Sequence, residues 1–342
     1  MRIGAMSETI QSLYLNPVTR KRSLLFIGKS GVGKSDGVRQ AADALAKHPS
    51  VDNWQGMIDL RLCQFSATDM SGLPAPDLEQ KIVTWLRNEW WPTAKDSSGI
   101  LFLDELTSAP NSVMASAYQI ALDRALGQHE LPEGWMVLAA GNRTSDRGVV
   151  NAIPSPLLNR FTEVEIHEHI DDTLDFFAVN DRRPEVMAFL KQRADYLHQF
   201  GKDYYGKQFP TPRGWFYTSD LLDQSFDQTV RAELIKGTVG EKAATDFEQF
   251  LRVYKSMPDI DAILKGKDIP VPSALDVRYC VVMGLAARVG KKNIHLALKW
   301  LGGLPKELET LCVKLAYQRD PTLIQAPVFA EWFTANQEVF KR

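Results

Sequence analysis

The chain has 342 residues, 44% of them hydrophobic, and its 40 basic and 42 acidic side chains give a net charge of −2. That length predicts two or three domains with real hydrophobic cores, and the near-even charge balance excludes a chain designed globally around a phosphate backbone, so a nucleic-acid partner is not expected, although a local basic groove stays open. Cys63, Cys280 and Cys312 are the only cysteines, far apart and in apolar surroundings, and read as buried thiols in a reducing compartment rather than as a disulfide or zinc framework.

The six histidines show no ligand spacing. Residues 1–16 lack an apolar segment with a cleavage site, and no apolar run approaches the about 18 residues that span a bilayer, so a cytoplasmic protein without a membrane segment is expected.

The first strong signal in chain order is Leu24-Leu25-Phe26-Ile27, a buried-strand pattern, running directly into Gly28-Lys29-Ser30-Gly31-Val32-Gly33-Lys34-Ser35. These eight residues fit the phosphate-binding loop G-x-x-x-x-G-K-[ST]. A loop that leaves a parallel strand and starts a helix aims several backbone N–H groups and the positive helix end at one point, where a polyphosphate such as that of ATP is held. Glycines allow close backbone approach, Lys34 reaches the β and γ phosphates, and Ser35 ligates Mg²⁺.

Apolar runs predict strands over 23–28, 57–65, 100–106, 135–141 and 161–167, separated by helices near 34–47, 77–91 and 111–126, with Asn111 placed to cap the last of these. This alternation predicts an α/β fold around a five-stranded parallel sheet covered on both faces. From Asp171 the strand pattern stops and helices follow over 171–179, 184–199, 212–224, 227–236 and 240–256. After Pro258 and a Pro- and Gly-containing segment at 265–272, helical spacing resumes through Val277, Cys280, Val281 and Leu285, then near 291–301 and 305–318.

A second chemical feature is Ile100-Leu101-Phe102-Leu103-Asp104-Glu105. A buried strand ending in two carboxylates at the sheet's carboxyl edge puts Asp104 beside the Ser35 metal position and Glu105 where a water attacks the γ phosphate. The strand 135–141 ends in Asn142, an amide that orients a water without adding charge, or simply forms a turn after Gly141. Arg160, just before the fifth strand, reads by itself as readily as a helix-end charge as a functional arginine.

Taken together and in this order, these elements resemble the AAA+ ATPases, and several are worded like the MoxR-like branch that carries an insert in its second helix. Gly28 to Ser35 resembles Walker A, Leu103-Asp104-Glu105-Leu106 Walker B, Ala139 to Asn142 sensor 1, and Leu157 to Phe161 the arginine-finger segment; Leu60 to Phe65 and Asp69 to Pro74 resemble the second strand and the start of the insert. The resemblance covers about residues 21–225. It implies catalytic roles for Glu105, Asn142 and Arg160, with Arg147 and then Arg143 as alternative fingers. It also implies a sensor 2 arginine, matched by Arg213 in Thr211-Pro212-Arg213-Gly214. Two departures stand out: Arg143-Thr144-Ser145 follows sensor 1 where a Pro is more usual, and the short 126–135 segment leaves room for only a small second hairpin.

The resemblance further implies a leader over 1–20, a P-loop core over 21–168, a helical lid over 169–257 and a C-terminal helical extension over 258–342. It implies ATP and Mg²⁺ as cofactors, a homo-oligomeric ring, commonly a hexamer, and a protein client, typically one with a von Willebrand factor A domain. Trp85, Trp90 and Trp91 fall in the expected insert and read equally as a partner surface or as packing against the sheet. Two other readings compete with this one. A DNA-directed AAA+ motor of restriction, phage defence or replication initiation is opposed by the acidic balance. A GTPase requires an N-K-x-D motif, which the sequence lacks.

Overall fold

The computed structural model describes residues 1–143, 158–200, 207–254 and 257–336. They divide into two compact units, Met1–His167 and Glu168–Arg342.

The first unit contains the strands β1 (Leu24–Gly28), β2 (Trp54–Arg61), β3 (Leu73–Asp77), β4 (Ile82–Leu86), β5 (Ser98–Asp104), β6 (Ala125–Leu126), β7 (His129–Glu130), β8 (Gly134–Gly141) and β9 (Thr162–Ile166). Five of them form one sheet in the order β2-β5-β8-β1-β9, and every neighbouring pair is parallel. Each of the five predicted strands is present within a few residues of its expected ends. Their side chains alternate between two cores, as a sheet covered on both faces requires. Phe26, Ile100, Phe102, Met136 and Leu138 join one core, while Leu25, Leu101, Leu103, Val137 and Ala139 join the other.

The first core is closed by helices α1 (Met6–Leu15) and α3 (Lys34–Leu45), with the short α2 (Pro17–Arg20) between them. Met6, Ile10 and Tyr14 recur every four residues and form the buried stripe of α1, and the Tyr14 hydroxyl donates to the Gly134 carbonyl at 2.7 Å. Residues 1–20, set apart as a leader on sequence, are therefore built into this unit. The opposite core is closed by α5 (Asn111–Asp123), through Val113, Ala117 and Ile120. Asn111 is the first helical residue of α5 and makes no cap; Pro110 holds the cap position without a side-chain bond.

The helix expected over 77–91 is not formed. After α4 (Ala67–Ser71), β3 and β4 make an antiparallel hairpin with Leu73 opposite Leu86. The β-branched run Ile82-Val83-Thr84 favours a strand, and Asp77 Oδ1 accepts from the Glu79 and Gln80 amides to close the turn. The three tryptophans separate accordingly: Trp91 is buried in the core and packs edge-on to Trp90, with ring centroids 5.8 Å apart, whereas Trp85 sits on β4 and is 43% exposed. The second hairpin, β6–β7, is two residues per strand, as small as its length allows.

The second unit is helical: α6 (Ile170–Val179), α7 (Pro184–Gln192), α8 (Pro212–Leu222), α9 (Gln228–Val239), α10 (Glu241–Tyr254), α11 (Ile260–Leu264), α12 (Leu275–Arg288), α13 (Ile294–Leu301), α14 (Lys306–Arg319) and α15 (Pro327–Ala335). The helices predicted here are present, except that the one expected over 184–199 ends at Gln192 and gives way to a 3-10 turn at Ala194–Tyr196, while α11 and α15 escaped the periodicity. Residues on both sides of Pro258, from Leu174, Phe189 and Trp215 to Val281, Val313 and Phe329, share one hydrophobic core. Lid and extension, as named from the sequence, are one packed body. Among the described residues no helix is long and apolar enough to cross a membrane.

Candidate active site

The sheet order determines which chain segments meet at its carboxyl edge. β8 lies between β1 and β5, so the loop after β1, the acids ending β5 and the amide after β8 converge there, the usual place for a ligand in an open parallel sheet.

The loop after β1 begins at Gly28, where a Cβ would stand 2.7 Å from the Ile166 carbonyl oxygen of β9, so no larger residue fits without moving a backbone. It ends at Gly33, whose φ of 99° is left-handed and favours glycine. Helix α3 starts at the next residue, which aims its free N–H groups back at the loop. Lys34 is only 9% exposed, and its ammonium donates to the carbonyls of Gly28 at 2.8 Å and Lys29 at 3.0 Å. It also donates to Asn142 Oδ1 at 3.0 Å, joining the loop lysine to the residue expected to be sensor 1. Asn142 is held in turn through its backbone N–H, which donates to Thr107 Oγ1 at 2.9 Å.

Ser35 Oγ donates to Asp104 Oδ2 at 2.8 Å. Asp104 is 8% exposed. Burial pushes its carboxyl above the usual carboxylate range, and the Ser35 hydroxyl and the Glu105 N–H, which donates to Oδ1 at 2.9 Å, pull against that shift. Asp59 on β2 adds to the upward push while pairing with Arg39 of α3 at 2.9 Å. A hydroxyl and a carboxylate oxygen side by side, next to a loop shaped for phosphate, suit a hard cation such as Mg²⁺, which prefers oxygen ligands and keeps several waters. Ser35 and Asp104 are the residues that would hold it, and the ion would neutralise charge between β and γ phosphates.

Glu105 follows Asp104 with φ 56° and ψ 34°, a left-handed conformation rare outside glycine and costly enough to need support from its surroundings. Its Oε2 accepts from the Cys63 thiol at 2.7 Å. Cys63 comes just after β2, on the side of β5 away from β8 and β1, so this contact holds the Glu105 carboxylate toward the β2 end of the site. Burial, with Glu105 beside it, pushes the Cys63 thiol up to about 11, so it stays a protonated donor. The reading of Cys63 as a plain buried thiol missed this role; Cys280 and Cys312 are buried as expected. Thr107 and the Arg39–Asp59 pair also escaped sequence reading. Their one local signal was proximity to the motifs, since Thr107 follows Asp104-Glu105 by two residues and Arg39 lies one turn after Ser35.

The arginines fall in different places. Arg160 immediately precedes β9, at the amino edge of the sheet, with its guanidinium 5.5 Å from the centre of the Tyr118 ring on α5. Because Thr162 pairs with Leu24 and Ile166 with Gly28, Arg160 and the phosphate loop stand at opposite ends of adjacent strands, separated by at least the roughly 13 Å that four strand steps span. Arg143 lies at the carboxyl edge and is tied to Glu165 at 2.9 Å and to His167 at 3.2 Å. Arg147 and Leu157 lie outside the described residues. Arg213, in the helical unit, is exposed at the second position of α8, behind Pro212 and the Thr211 cap, whose Oγ1 accepts from Gly214 N at 2.9 Å.

The chain matches no protein-family model. Among solved structures it is similar to NtrX from Brucella abortus in complex with ADP, at 11% identity over 97% of this chain and 68% of that one with a TM-score of 0.37. The ATP complex of the same protein gives a TM-score of 0.35 at the same identity and coverage. Likeness at that level carries no argument about the site, which rests on its own geometry.

Proposed function

We propose that the chain is a Mg²⁺-dependent ATPase of the AAA+ kind, in which Gly28 to Ser35 bind the ATP phosphates, Ser35 and Asp104 hold the metal, Glu105 activates the attacking water and Asn142 orients it. The observation that carries this reading is the double link at the loop: Lys34 to Asn142 and Ser35 to Asp104. Phosphoryl transfer to water needs charge neutralisation, in-line placement and a base, and these side chains supply all three within one carboxyl-edge cluster.

In this reading Glu105 leaves Cys63 to meet its water when nucleotide is bound. Arg160, a strand length from its own loop, serves the nucleotide of a neighbouring subunit, which favours a closed homo-oligomeric ring, commonly a hexamer. The wording of the motifs favours the MoxR-like branch, hence a cytoplasmic remodelling ATPase acting on a protein client, typically one with a von Willebrand factor A domain. Arg213 would answer to the γ phosphate.

The decisive experiment changes Glu105→Gln. ATP binding is expected to persist while hydrolysis falls by about 10²-fold or more, and the stalled assembly is used to recover the client. Hydrolysis at the parent rate would remove Glu105 as the base. Arg160→Ala is expected to bind ATP and lose hydrolysis, with partial rescue on mixing with Lys34→Ala subunits; an intact assembly without rescue would refute the trans arrangement.

A further inference from the structure

We propose that the helical unit carries a binding site for a small carboxylic acid with an apolar body, in a cavity of about 260 Å³ where the ends of α6, α10, α12 and α14 meet. Its apolar surface comes from Met187, Met283 and Leu315, and its polar groups include Tyr254 and Arg319. Tyr254 is 7% exposed, and its hydroxyl makes no hydrogen bond among the described residues. A phenol buried in its ring but with its O–H open on a cavity wall can donate to an acceptor from outside the chain.

The ionic pairing of the wall points the same way. Arg182 is paired with Asp220, Arg183 with Glu185 at 2.7 Å and Asp223 at 3.2 Å, and Arg288 with Asp261 at 3.3 Å. Arg319 has no carboxylate at ion-pair distance among the described residues. It spends one donor on the Val289 carbonyl, while Asp181 and Asp320 act on it only from farther away, and burial pulls its pKa below the ordinary value. A half-buried guanidinium with no carboxylate at ion-pair distance has donors to offer an anion, and their forked arrangement matches a carboxylate.

Charge and size narrow the occupant. Asp181, Glu185 and Asp223 share the wall, so a doubly charged phosphate meets about twice the repulsion that a single carboxylate does. The volume falls below the roughly 300–1,000 Å³ of pockets for drug-sized ligands, which leaves room for a short branched or aromatic acid: its carboxylate on Arg319, an oxygen accepting from Tyr254, and its body on the methionines.

The test is titration calorimetry of the full chain without nucleotide, using isocaproate and its uncharged isostere isocaproamide. Isocaproate is expected to bind saturably at about the millimolar level or tighter, and the amide about tenfold more weakly. Tyr254→Phe keeps the ring packing and is expected to weaken isocaproate about three- to tenfold; Arg319→Gln is expected to abolish saturation, with its melting curve recorded to show that it folds. If Arg319→Gln does not fold, Tyr254→Phe decides. Absence of saturable binding to the parent up to about 50 mM isocaproate, equal binding of acid and amide, or a Tyr254→Phe variant that binds like the parent overturns the proposal. None of these readouts depends on ATP hydrolysis.

Discussion

Replacing Lys34 by Met keeps a stem of the same length and removes the ammonium with its charge and donors, which makes it a clean probe of the phosphate loop. In the free protein two effects oppose each other. The ammonium donates to Gly28, Lys29 and Asn142, and losing such donors costs about 1–3 kcal/mol for each acceptor left dry. Removing a charge that is only 9% exposed returns much of that through desolvation. The net loss is about 1–2 kcal/mol, a fall in melting temperature of about 2–8 °C for this size range. With nucleotide the balance changes, because the ammonium that faces the phosphates in the proposed site is gone. Parent protein at a hundred times its Kd gains about 2.7 kcal/mol, hence about 5–10 °C, and Lys34→Met gains nothing measurable at the same concentration. Thermal melts with and without Mg-ATP, paired with direct titration, read both numbers. A variant that binds ATP within about threefold of the parent would refute the placement of the phosphates at this loop.

Four further outcomes are expected. Cys63→Ala frees Glu105 from the β2 side and raises kcat by up to about tenfold at unchanged KM; a fall in kcat would mean that the thiol holds the carboxylate in its working position. Gly141→Ala would place a Cβ 2.4 Å from Thr107 Cγ2, pushing away the hydroxyl that holds Asn142 and lowering kcat by about tenfold or more, with nucleotide affinity retained; parent kinetics would show that Thr107 does not position Asn142. Asp104→Asn is expected to abolish Mg²⁺-dependent hydrolysis yet raise the melting temperature of the nucleotide-free protein at neutral pH. The sign follows from the raised carboxyl pKa of Asp104: the folded state disfavours its charge, so the parent gains stability as pH falls through the raised value, and the advantage of the Asn variant should shrink over that same fall. An advantage constant with pH would place the effect elsewhere. Gly28→Ala is expected to lower stability by about 2–4 kcal/mol, because its Cβ would meet the Ile166 carbonyl at 2.7 Å; chemical denaturation measures it, and a neutral result would mean that β1 and β9 are not so closely packed.

Much of this protein is written in short stretches of chain. The phosphate loop needs only eight consecutive residues after an apolar run, because backbone N–H groups and one helix end do the work locally. The three central strands β1, β5 and β8 were readable for a similar reason: a strand buried on both faces shows as an apolar run whatever its neighbours are. Local reading failed where two periodicities overlap. The segment 77–91 carries Ile82, Trp85, Leu86, Trp90 and Trp91 at spacings that also suit a helix, and what favoured a hairpin was the β-branched run 82–84 and the Asp77 turn together with the core that takes Trp91.

The sequence alone determined the chemistry on offer: a loop for phosphate, carboxylates at a strand end, an amide and several arginines. Only the tertiary structure decided which of them meet. Lys34 and Asn142 are 108 residues apart in the chain, and they touch because β8 lies beside β1. Cys63 reaches Glu105 because β2 lies on the far side of β5. Strand order is set by packing summed over two cores, which no short stretch of residues encodes, so the partners of Glu105 and the opposite placement of Arg160 had to wait for the fold.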